Sequence, residues 1–292
     1  MANLLPILAV QASSCKPDTD LQDFEDNLLS LLEDFRQTKL VVFPEIHLCG
    51  VTGTPKQRAE QLENAAQPMD GPRIKRLSEI ARKANVWLLP GTVCERGDDG
   101  EIYNTAPVFS PEGELIASYR KCFPWRPHEP YTPGRQFTVF DIPDIGRIGL
   151  AICYDIWYPE VVRQLAWMGA EVIINQVQTS TCERAKELIL IQANAIFNQV
   201  FIVSLNAAIP AGIGQSLIVD PEGNTRTQIT SGSEAILTDV LNLEEVSRVR
   251  QYGTAGITRP WSQFNKDDLP LELPIYKGCM DPLTWNPDKK KP

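Results

Sequence analysis

Histidine is scarce in this 292-residue chain, which contains only His47 and His128. Two histidines are too few for most histidine-based zinc sites and leave little choice for a serine–histidine–aspartate triad. His128-Glu129 begins like the helix motif of zinc proteases. Pro130 interrupts that helix, however, and Thr132 stands where the second histidine ligand belongs. A phosphate-binding P-loop motif is also absent, so we expect neither a metal nor another cofactor.

Basic residues do not outnumber acidic ones, because the chain has 28 Lys and Arg residues against 37 Asp and Glu residues and its net charge is −9. An acidic surface repels phosphate backbones, so we expect no nucleic-acid partner. No apolar run reaches the roughly 18 residues that span a bilayer, so we expect no membrane segment. Hydrophobic residues make up 43% of the chain, which permits a sizeable core.

The seven cysteines contain no C-x-x-C pair, and their number is odd. This pattern argues against a disulfide framework and against a zinc knuckle. The apolar segment 4–10 is short and no Lys or Arg precedes it, which is not typical of a signal peptide. We therefore expect reduced thiols in a cytoplasmic protein.

Strand-like and helix-like segments alternate along the chain, which predicts an α/β fold. The predicted strands are 4–12, 40–43, 86–89, 102–109, 114–119, 147–152, 171–174, 200–205 and 216–220. Helices with one apolar stripe are predicted at 21–35, 72–84, 159–169 and 183–197. The turn Pro-Glu-Gly occurs at 111–113 and again at 221–223. This repeat indicates either a weak internal two-fold, with two sheets packed face to face and helices outside, or a coincidence.

The apolar periodicity fades after residue 252, which divides the chain into a domain over 1–252 and an extended tail over 253–292. Six prolines interrupt this tail. Its aromatic side chains have apolar surface to bury: Trp261, Phe264, Tyr276 and Trp285. We expect the tail to lie across its own domain or across a neighbouring subunit.

Three reactive side chains follow predicted strands. Glu45 comes after 40–43, Lys121 after 114–119, and Cys153 after 147–152. Because ligands in open α/β sheets gather at the carboxyl ends of strands, we expect these side chains to converge on one pocket. Each alone has an ordinary structural explanation, as a paired glutamate, a surface lysine or a small buried cysteine.

Together the three side chains fit one mechanism. A free thiol has a pKa of about 8.5, so only a few per cent of it is thiolate at neutral pH. A carboxylate within hydrogen-bonding reach can take the thiol proton. An ammonium can stabilise both the thiolate and the oxyanion that follows. With two histidines in the chain, Glu45, Lys121 and Cys153 are a more natural set than a cysteine–histidine pair.

Three segments around these residues resemble the signature motifs of the nitrilase superfamily of carbon–nitrogen hydrolases. They are Val41-Val42-Phe43-Pro44-Glu45, Tyr119-Arg120-Lys121 and Gly149-Leu150-Ala151-Ile152-Cys153-Tyr154-Asp155. Segments 103–106, 158–160 and 169–171 agree with the family as well, and the resemblance extends over roughly residues 3–240. It implies an α-β-β-α sandwich, with two stacked sheets and helices outside, which agrees with the interpretation as two halves.

The resemblance implies a role for each matching residue. Cys153 would be the nucleophile, Glu45 the general base, and Lys121 the group that stabilises the oxyanion. The backbone N–H of Tyr154 would be a second oxyanion donor. Glu129 would be the second glutamate that many members place a few residues after the lysine. The family also implies a homodimer or larger homo-oligomer, with the helix after the cysteine and the C-terminal tail at the interface.

The residues after the cysteine are typical of the amidase and carbamoylase branches. True nitrilases usually carry Cys-Trp-Glu where this chain has Cys153-Tyr154-Asp155. Segments 121–125 and 129–131 resemble aliphatic amidases and formamidases. We therefore predict a cysteine-dependent amidohydrolase that converts a small primary amide into a carboxylic acid and ammonia through a thioester. Ile156-Trp157 departs from the aliphatic amidases, which tend to have small residues there.

Further side chains are candidates for binding this small-molecule substrate beside Tyr154. Trp125, Tyr131 and Trp157 are candidates for an apolar wall of the pocket, and the alternative is that they are ordinary core or interface aromatics. Gln178 and Gln176 are candidates to hydrogen-bond the amide, and the alternative is that they are polar groups of a loop.

Three alternatives remain open. An N-carbamoyl amidase acting on amino acids would need a cation for the substrate carboxylate, and Arg126 and Arg184 are the nearest candidates in the sequence. A nitrilase is less favoured by the motif. A non-catalytic binding protein that kept the fold is least favoured, because all three reactive positions are intact.

Overall fold

Apolar runs bounded by turn residues form two large β-sheets in the computed structural model, which describes residues 3–17 and 19–280. The first sheet contains β1 (Leu4–Gln11), β2 (Leu40–Val42), β3 (Trp87–Leu89), β4 (Val93–Arg96), β5 (Ile102–Phe109), β6 (Leu115–Arg120) and β13 (Ala235–Asn242). The second sheet contains β7 (Val139–Ile142), β8 (Gly146–Ile152), β9 (Val172–Val177), β10 (Phe201–Asn206), β11 (Leu217–Val219) and β12 (Thr225–Gln228). A small separate sheet pairs β14 (Leu271–Leu273) with β15 (Gly278–Met280).

Helices connect the strands and cover the sheets. Over the described residues they are α1 (Leu21–Asp34), α2 (Pro55–Ala65), α3 (Pro72–Ala84), α4 (Pro159–Trp167), α5 (Arg184–Asn198) and α6 (Glu244–Tyr252). Short 3₁₀-helices lie at Cys153–Trp157, Thr254–Gly256, Pro260–Ser262 and Pro274–Tyr276. In that same part of the chain, no helix combines the length and the apolar character that crossing a membrane would require.

Alternate side chains of the central strands face opposite layers, as the pleat of a strand requires. Leu40 and Val42 point between the two sheets, whereas Val41 and Phe43 pack against α1 and α3. The outer face of the second sheet packs in the same way against α4 and α5. Both faces of each sheet are therefore covered, and the predicted sandwich of two stacked sheets with helices outside is confirmed.

The two sheets repeat one strand order. In the first, β1, β2 and β3 are parallel, β13 lies antiparallel beside β1, and the β5–β6 hairpin lies antiparallel beside β3. In the second, β8, β9 and β10 are parallel, β7 lies antiparallel beside β8, and the β11–β12 hairpin lies antiparallel beside β10. Each hairpin turns through a glycine in the left-handed region, with φ of 80° at Gly113 and 87° at Gly223. The repeated Pro-Glu-Gly turn therefore occupies the same place in the strand order of both sheets.

Some elements were not predicted from the sequence pattern, namely α2, β4, β7, β12, β13 and α6. One predicted strand, 171–174, is too short, because β9 continues to Val177 and includes Gln176. Gln176 is buried, and its Nε2 donates to the carbonyl oxygen of Phe43 at 2.7 Å. A buried amide that finds a partner lets the strand continue beyond its apolar run.

The tail after α6 is less extended than predicted, because it forms 3₁₀-helices and the β14–β15 pair. Trp261 is buried, and its indole N–H donates to the carbonyl oxygen of Asn198 at 3.0 Å. The guanidinium of Arg163 lies 4.7 Å from the centre of the Trp261 ring. This part of the tail therefore lies on its own domain. Trp285, another predicted anchor, lies outside the described residues.

Candidate active site

Glu45 stands in a turn that a neighbouring loop holds in place. The turn follows β2, and the N–H of Ile46 donates to Thr92 Oγ1 at 2.8 Å. Gly91 packs against the turn with φ of 100°, and a Cβ at Gly91 would lie 2.6 Å from the carbonyl oxygen of Pro44. Only glycine permits so close an approach. The β3–β4 loop thus fixes the backbone that carries Glu45.

Lys121 is the first residue after β6 and lies next to β5. Its backbone N–H donates to the carbonyl oxygen of Asn104 on β5 at 2.9 Å. The Asn104 side chain in turn donates to Glu45 Oε1 at 2.8 Å. Asn104 therefore holds the backbone of the lysine and the side chain of the glutamate at once.

Cys153 is the first residue after β8 and opens a 3₁₀-helix. Its φ is 47°, in the left-handed region that residues other than glycine seldom adopt. Such a conformation persists only where the surrounding structure holds it. The chain therefore makes a sharp turn at the thiol.

Asp155 holds this turn. Its Oδ2 accepts from the N–H of Ile152 at 2.9 Å and from the hydroxyl of Tyr119 at 2.7 Å. Its Oδ1 accepts from the N–H of Phe123 at 2.9 Å. Phe123 lies two residues after Lys121, so Asp155 ties the turn of the cysteine to the strand end that carries the lysine.

The Lys121 ammonium lies between two carboxylates. Nζ donates to Glu45 Oε1 at 2.9 Å and to the two oxygens of Glu129 at 2.8 and 2.9 Å. Glu129 Oε2 also accepts from the N–H of Trp125 at 2.9 Å, which fixes the second carboxylate. Lys121 and Glu45 are buried. The structure thus brings these three predicted residues into one cluster, with one positive and two negative formal charges.

Burial and the neighbouring charges shift the pKa values in this cluster. Burial raises the pKa of Glu45, Lys121 opposes the rise, and Glu129 adds to it. Burial alone would lower the pKa of Lys121, but Glu45 and its other anionic neighbours raise it well above its usual value. Burial and then Glu45 raise the pKa of Cys153 well above that of a free thiol, with Lys121 acting in the opposite direction. The thiol is therefore protonated at rest, and it interacts with the Glu45 carboxylate.

A cavity of about 70 Å³ lies against Cys153. Four of the residues predicted to bind substrate line it: Trp125, Tyr154, Trp157 and Gln178. Its other walls are Glu129, Thr179, Ser180, Thr181, Glu183 and Glu187. The volume of this cavity fits a small organic molecule beside the thiol.

Tyr131, another predicted wall residue, lies outside the lining of this cavity. The Tyr131 ring is buried in a separate apolar cluster with Ile46 and Cys94. The loop after Lys121 brings it there, because the N–H of Thr132 donates to the carbonyl oxygen of β5 residue Ile102 at 2.7 Å. Gln176 is likewise outside the lining.

The cavity walls carry glutamates, and no Lys or Arg is among the residues that line them. Arg184 is buried outside the lining, and its Nη1 lies 3.2 Å from Glu187 Oε2. Its guanidinium also donates to Ser204 Oγ at 3.2 Å and to the carbonyl oxygen of Gln215 at 3.0 Å. Arg126 is exposed. Neither arginine is therefore placed to bind a carboxylate of a substrate in this cavity.

Four buried polar residues around the site were not predicted from the sequence to have a role, namely Asn104, Asp155, Thr179 and Glu187. Asn104 and Asp155 lie within the segments that resemble the family, which was a signal for both. Thr179 follows β9, and its Oγ1 lies 3.7 Å from Cys153 Sγ and 2.9 Å from Glu187 Oε1. Glu187 lies on the buried face of α5. The sequence signal that could have pointed to Glu187 is a charged residue on this face of the helix.

Together these groups can support covalent catalysis at a carbonyl carbon. The thiol has the chemistry of a nucleophile, the neighbouring carboxylate that of a base, and the ammonium that of a group stabilising negative charge on oxygen.

Comparison with known proteins agrees with this arrangement. Residues 9–251 match the family model described as carbon–nitrogen hydrolase. A formamidase from Bacillus cereus (strain B4264) is 30% identical over 216 residues, which are 72% of this chain and 64% of the formamidase. The chain thus spans less than two thirds of the length of this curated relative.

Two solved structures share the fold. Nit3 from Saccharomyces cerevisiae, a member of branch 10 of the nitrilase superfamily, has a TM-score of 0.75 and 26% identity, over 85% of this chain and 93% of Nit3. An amidase of the nitrilase superfamily from Nesterenkonia AN1 has a TM-score of 0.69 and 25% identity, over 85% of this chain and 94% of the amidase. With the family match extending over most of its length, this chain belongs to the carbon–nitrogen hydrolases of the nitrilase superfamily.

Proposed function

We propose that this chain hydrolyses the carbon–nitrogen bond of a small, uncharged primary amide, with Cys153 as the nucleophile. The observation that carries the proposal is the buried Lys121 ammonium, held between Glu45 and Glu129 beside the thiol. The similarity to a formamidase and to an amidase supports the same class of substrate.

In the first step, the Cys153 sulfur forms a bond to the carbonyl carbon while the thiol proton passes to Glu45. The carbonyl oxygen becomes an oxyanion, which Lys121 Nζ and the backbone N–H of Tyr154 stabilise. Proton transfer during attack suits a thiol whose pKa is raised by burial, because little thiolate exists before the substrate arrives.

The carbon–nitrogen bond then breaks as Glu45 gives the proton to the leaving nitrogen, which departs as ammonia. An acyl-thioester remains on Cys153. Water adds to this thioester while Glu45 takes one of its protons, and the sulfur leaves as the thiol after Glu45 returns the proton. The product is a carboxylic acid. Glu129, itself fixed by the N–H of Trp125, keeps Lys121 in place throughout.

The cavity supports a substrate that is small and uncharged. Its volume is about 70 Å³, and Trp125 and Trp157 offer apolar surface. Glu129, Glu183 and Glu187 line it without a Lys or Arg among the lining residues. An N-carbamoyl amino acid would bring its carboxylate against these glutamates without a cationic partner, which makes a simple amide the better substrate.

Ammonia release from small amides, matched nitriles and N-carbamoyl compounds tests the proposal. We expect release from the amides, and a loss of at least about 1000-fold in Cys153→Ala because no nucleophile remains. Cys182→Ala, which changes an exposed cysteine, is the matched control and should keep the activity. An acyl adduct on Cys153 in mass spectrometry would support the thioester. Full activity in Cys153→Ala would rule the mechanism out, and release from carbamoyl compounds alone would reassign the substrate.

We also propose that the chain forms a homodimer or larger homo-oligomer, with α4, the helix after Cys153, and the C-terminal tail at the interface and α5 beside them. The side chains of Ile189 and Phe197 on α5 are 66% and 56% exposed. Large apolar side chains exposed on one helix are typical of surfaces that bind another chain. Light scattering coupled to gel filtration should show an oligomer that Phe197→Asp dissociates, and a monomeric unmodified protein would contradict this proposal.

A further inference from the structure

Thr179 is held beside the nucleophile through both its backbone and its side chain. Its N–H donates to Asn206 Oδ1 at 2.8 Å, and its carbonyl oxygen accepts from Asn206 Nδ2 at 3.0 Å. Its Oγ1 lies 3.7 Å from Cys153 Sγ and 2.9 Å from Glu187 Oε1. Thr179 and Glu187 are buried, so water competes little for these contacts. The mechanism above assigns no task to either residue.

The hydroxyl of Thr179 has a single proton, and this decides which group donates and which accepts in each of its contacts. A threonine hydroxyl donates once, whereas an ionised carboxylate can only accept. Glu187 is paired with Arg184, from which its Oε2 accepts a hydrogen bond. The Thr179 hydroxyl therefore donates its proton to Glu187. In the contact with Cys153 Sγ, Thr179 Oγ1 can only accept. A hydrogen bond between them therefore has the S–H group of Cys153 as its donor, and the Glu45 carboxylate is the other acceptor within reach of that proton.

Glu187 is fixed in its role as acceptor. Its Oε1 also lies 3.4 Å from Trp157 Nε1, and its Oε2 accepts from Arg184 Nη1 at 3.2 Å. Arg184 is itself held by Ser204 and Gln215. Both carboxylate oxygens thus have donors, and the direction of the Thr179 hydroxyl is set by rigid neighbours.

We propose that Glu187, acting through Thr179, keeps the Cys153 thiol protonated and oriented until the amide is bound. A Cys153 thiolate has no proton to donate, so it would face the lone pairs of Thr179 Oγ1 without a hydrogen bond. The negative charge of Glu187 would also disfavour the thiolate. In agreement, Glu187 is among the groups that raise the pKa of Cys153, after burial and Glu45. The thiol proton then leaves toward Glu45 when the sulfur–carbon bond forms. This assignment of positioning residues rests on the proposed function.

Alkylation of Cys153 by 2-iodoethanol, a small reagent that contains no amide, as a function of pH tests the proposal, with the modified peptide quantified by mass spectrometry. Glu187→Gln removes the charge and frees the Thr179 proton to turn toward the sulfur. We expect the alkylation midpoint to fall by about one pH unit, which is about tenfold faster alkylation below the midpoint. Glu183→Gln, at another glutamate of the same cavity, is the matched control and should move the midpoint much less. An unchanged or higher midpoint in folded Glu187→Gln protein would overturn the proposal.

The same readout tests whether Glu187 acts through Thr179. In a Thr179→Val background the effect of Glu187→Gln should shrink by at least half, and in a Thr179→Ser background it should persist. An undiminished effect in the valine background would overturn the route through the hydroxyl.

A second measurement covers the case in which Glu187→Gln fails to fold because Arg184 loses its partner. Thr179→Val should then lower kcat at least about fivefold with little change in KM, and Thr179→Ser should restore it. Equal kcat values in these two variants would contradict the proposal. Alkylation of Cys153 requires no turnover, so its result does not depend on whether the amidase proposal holds. Failure of the amidase proposal would appear separately, as activity in Cys153→Ala.

Discussion

The half of the molecule built on the first sheet and the half built on the second share one strand order. The residues that follow equivalent strands differ between the two halves. The first residue after β8 is Cys153, whereas the first residue after the equivalent strand β1 is Ala12. Lys121 directly follows β6, and Ile229 directly follows the equivalent strand β12. Ala12 and Ile229 pack against apolar clusters of the core. The repeated topology thus provides paired positions, and residue identity decides which of each pair is reactive.

The middle strands show the difference most clearly. Glu45 follows β2 and Thr179 follows β9, and both contact the thiol of Cys153. The first half supplies a carboxylate that can take the thiol proton. The second supplies a hydroxyl whose own proton is directed to Glu187. We infer that the first half carries proton transfer and the second half sets the resting state of the nucleophile.

Removing the cation of the first half should have the largest effect. Lys121→Met leaves Glu45 and Glu129 facing each other without a counter-charge. We expect kcat/KM for a small amide to fall at least about 1000-fold, because the oxyanion loses a charged donor. We also expect the free energy of unfolding in urea to fall by about 3–5 kcal/mol, because a buried ion pair is broken. Lys56→Met, at an exposed lysine, should change neither quantity, and activity within tenfold of the unmodified enzyme would contradict the role of Lys121.

The grouping of Glu45, Lys121 and Cys153 could be predicted because each follows a segment with a clear strand pattern. The strand pattern places each residue at a strand end, but β2 and β6 belong to the first sheet and β8 to the second, so the packing of the two sheets is what brings the three residues together. The contacts of Glu187 could not be predicted in this way. Its spacing from Arg184 is also typical of ion pairs on exposed helix faces, and only the packing of α5 shows that this pair is buried.

The loop after β6 shows a second limit. Segment 121–135 has no apolar period, so its course depends on contacts with β5 that no local pattern encodes. Tyr131 therefore looked like a wall of the cavity but packs beside Cys94. The missed strand β13 has a similar cause, because few of its side chains are buried and its place is set by pairing with β1. Tertiary partners, rather than local propensity, decide such segments.

Loosening the connection between the two halves should have a smaller effect. Asp155→Asn keeps the size of the side chain but replaces an acceptor oxygen by an NH₂ group, which would face the N–H of either Ile152 or Phe123. We expect about 2 kcal/mol less stability in urea unfolding and a kcat about 10- to 100-fold lower, because the Cys153 turn is held less firmly.

The same substitution elsewhere is the control for Asp155→Asn. Asp220 binds the N–H of Glu222 at 2.8 Å in the hairpin turn of the second half, far from the thiol in sequence. Asp220→Asn should destabilise the protein by a smaller amount and leave kcat unchanged. If both variants lost kcat equally, the effect would reflect general destabilisation rather than the connection between the halves.

The turn of Glu45 also contains a buried histidine, which makes the first half sensitive to acid. His47 stacks on Phe43 with ring centres 4.8 Å apart, and burial lowers its pKa to about 4. The unfolded chain binds this proton near pH 6.5, but the folded chain binds it only near pH 4. Stability from this group is therefore complete above about pH 6.5 and is lost as the pH falls toward 4. The expected loss between pH 7 and pH 5 is about 2 kcal/mol.

Urea unfolding of His47→Phe at pH 7 and at pH 5 isolates this contribution from that of the carboxylates. The phenyl ring fills the same site without titrating, so the stability lost between the two pH values should shrink by about 2 kcal/mol. His128→Phe, at the exposed histidine, should keep the original pH dependence. The equivalent turn after β9 contains no histidine. Acid should therefore loosen the half that contains Glu45 before the half that contains Cys153. An unchanged pH dependence in His47→Phe would contradict this difference between the halves.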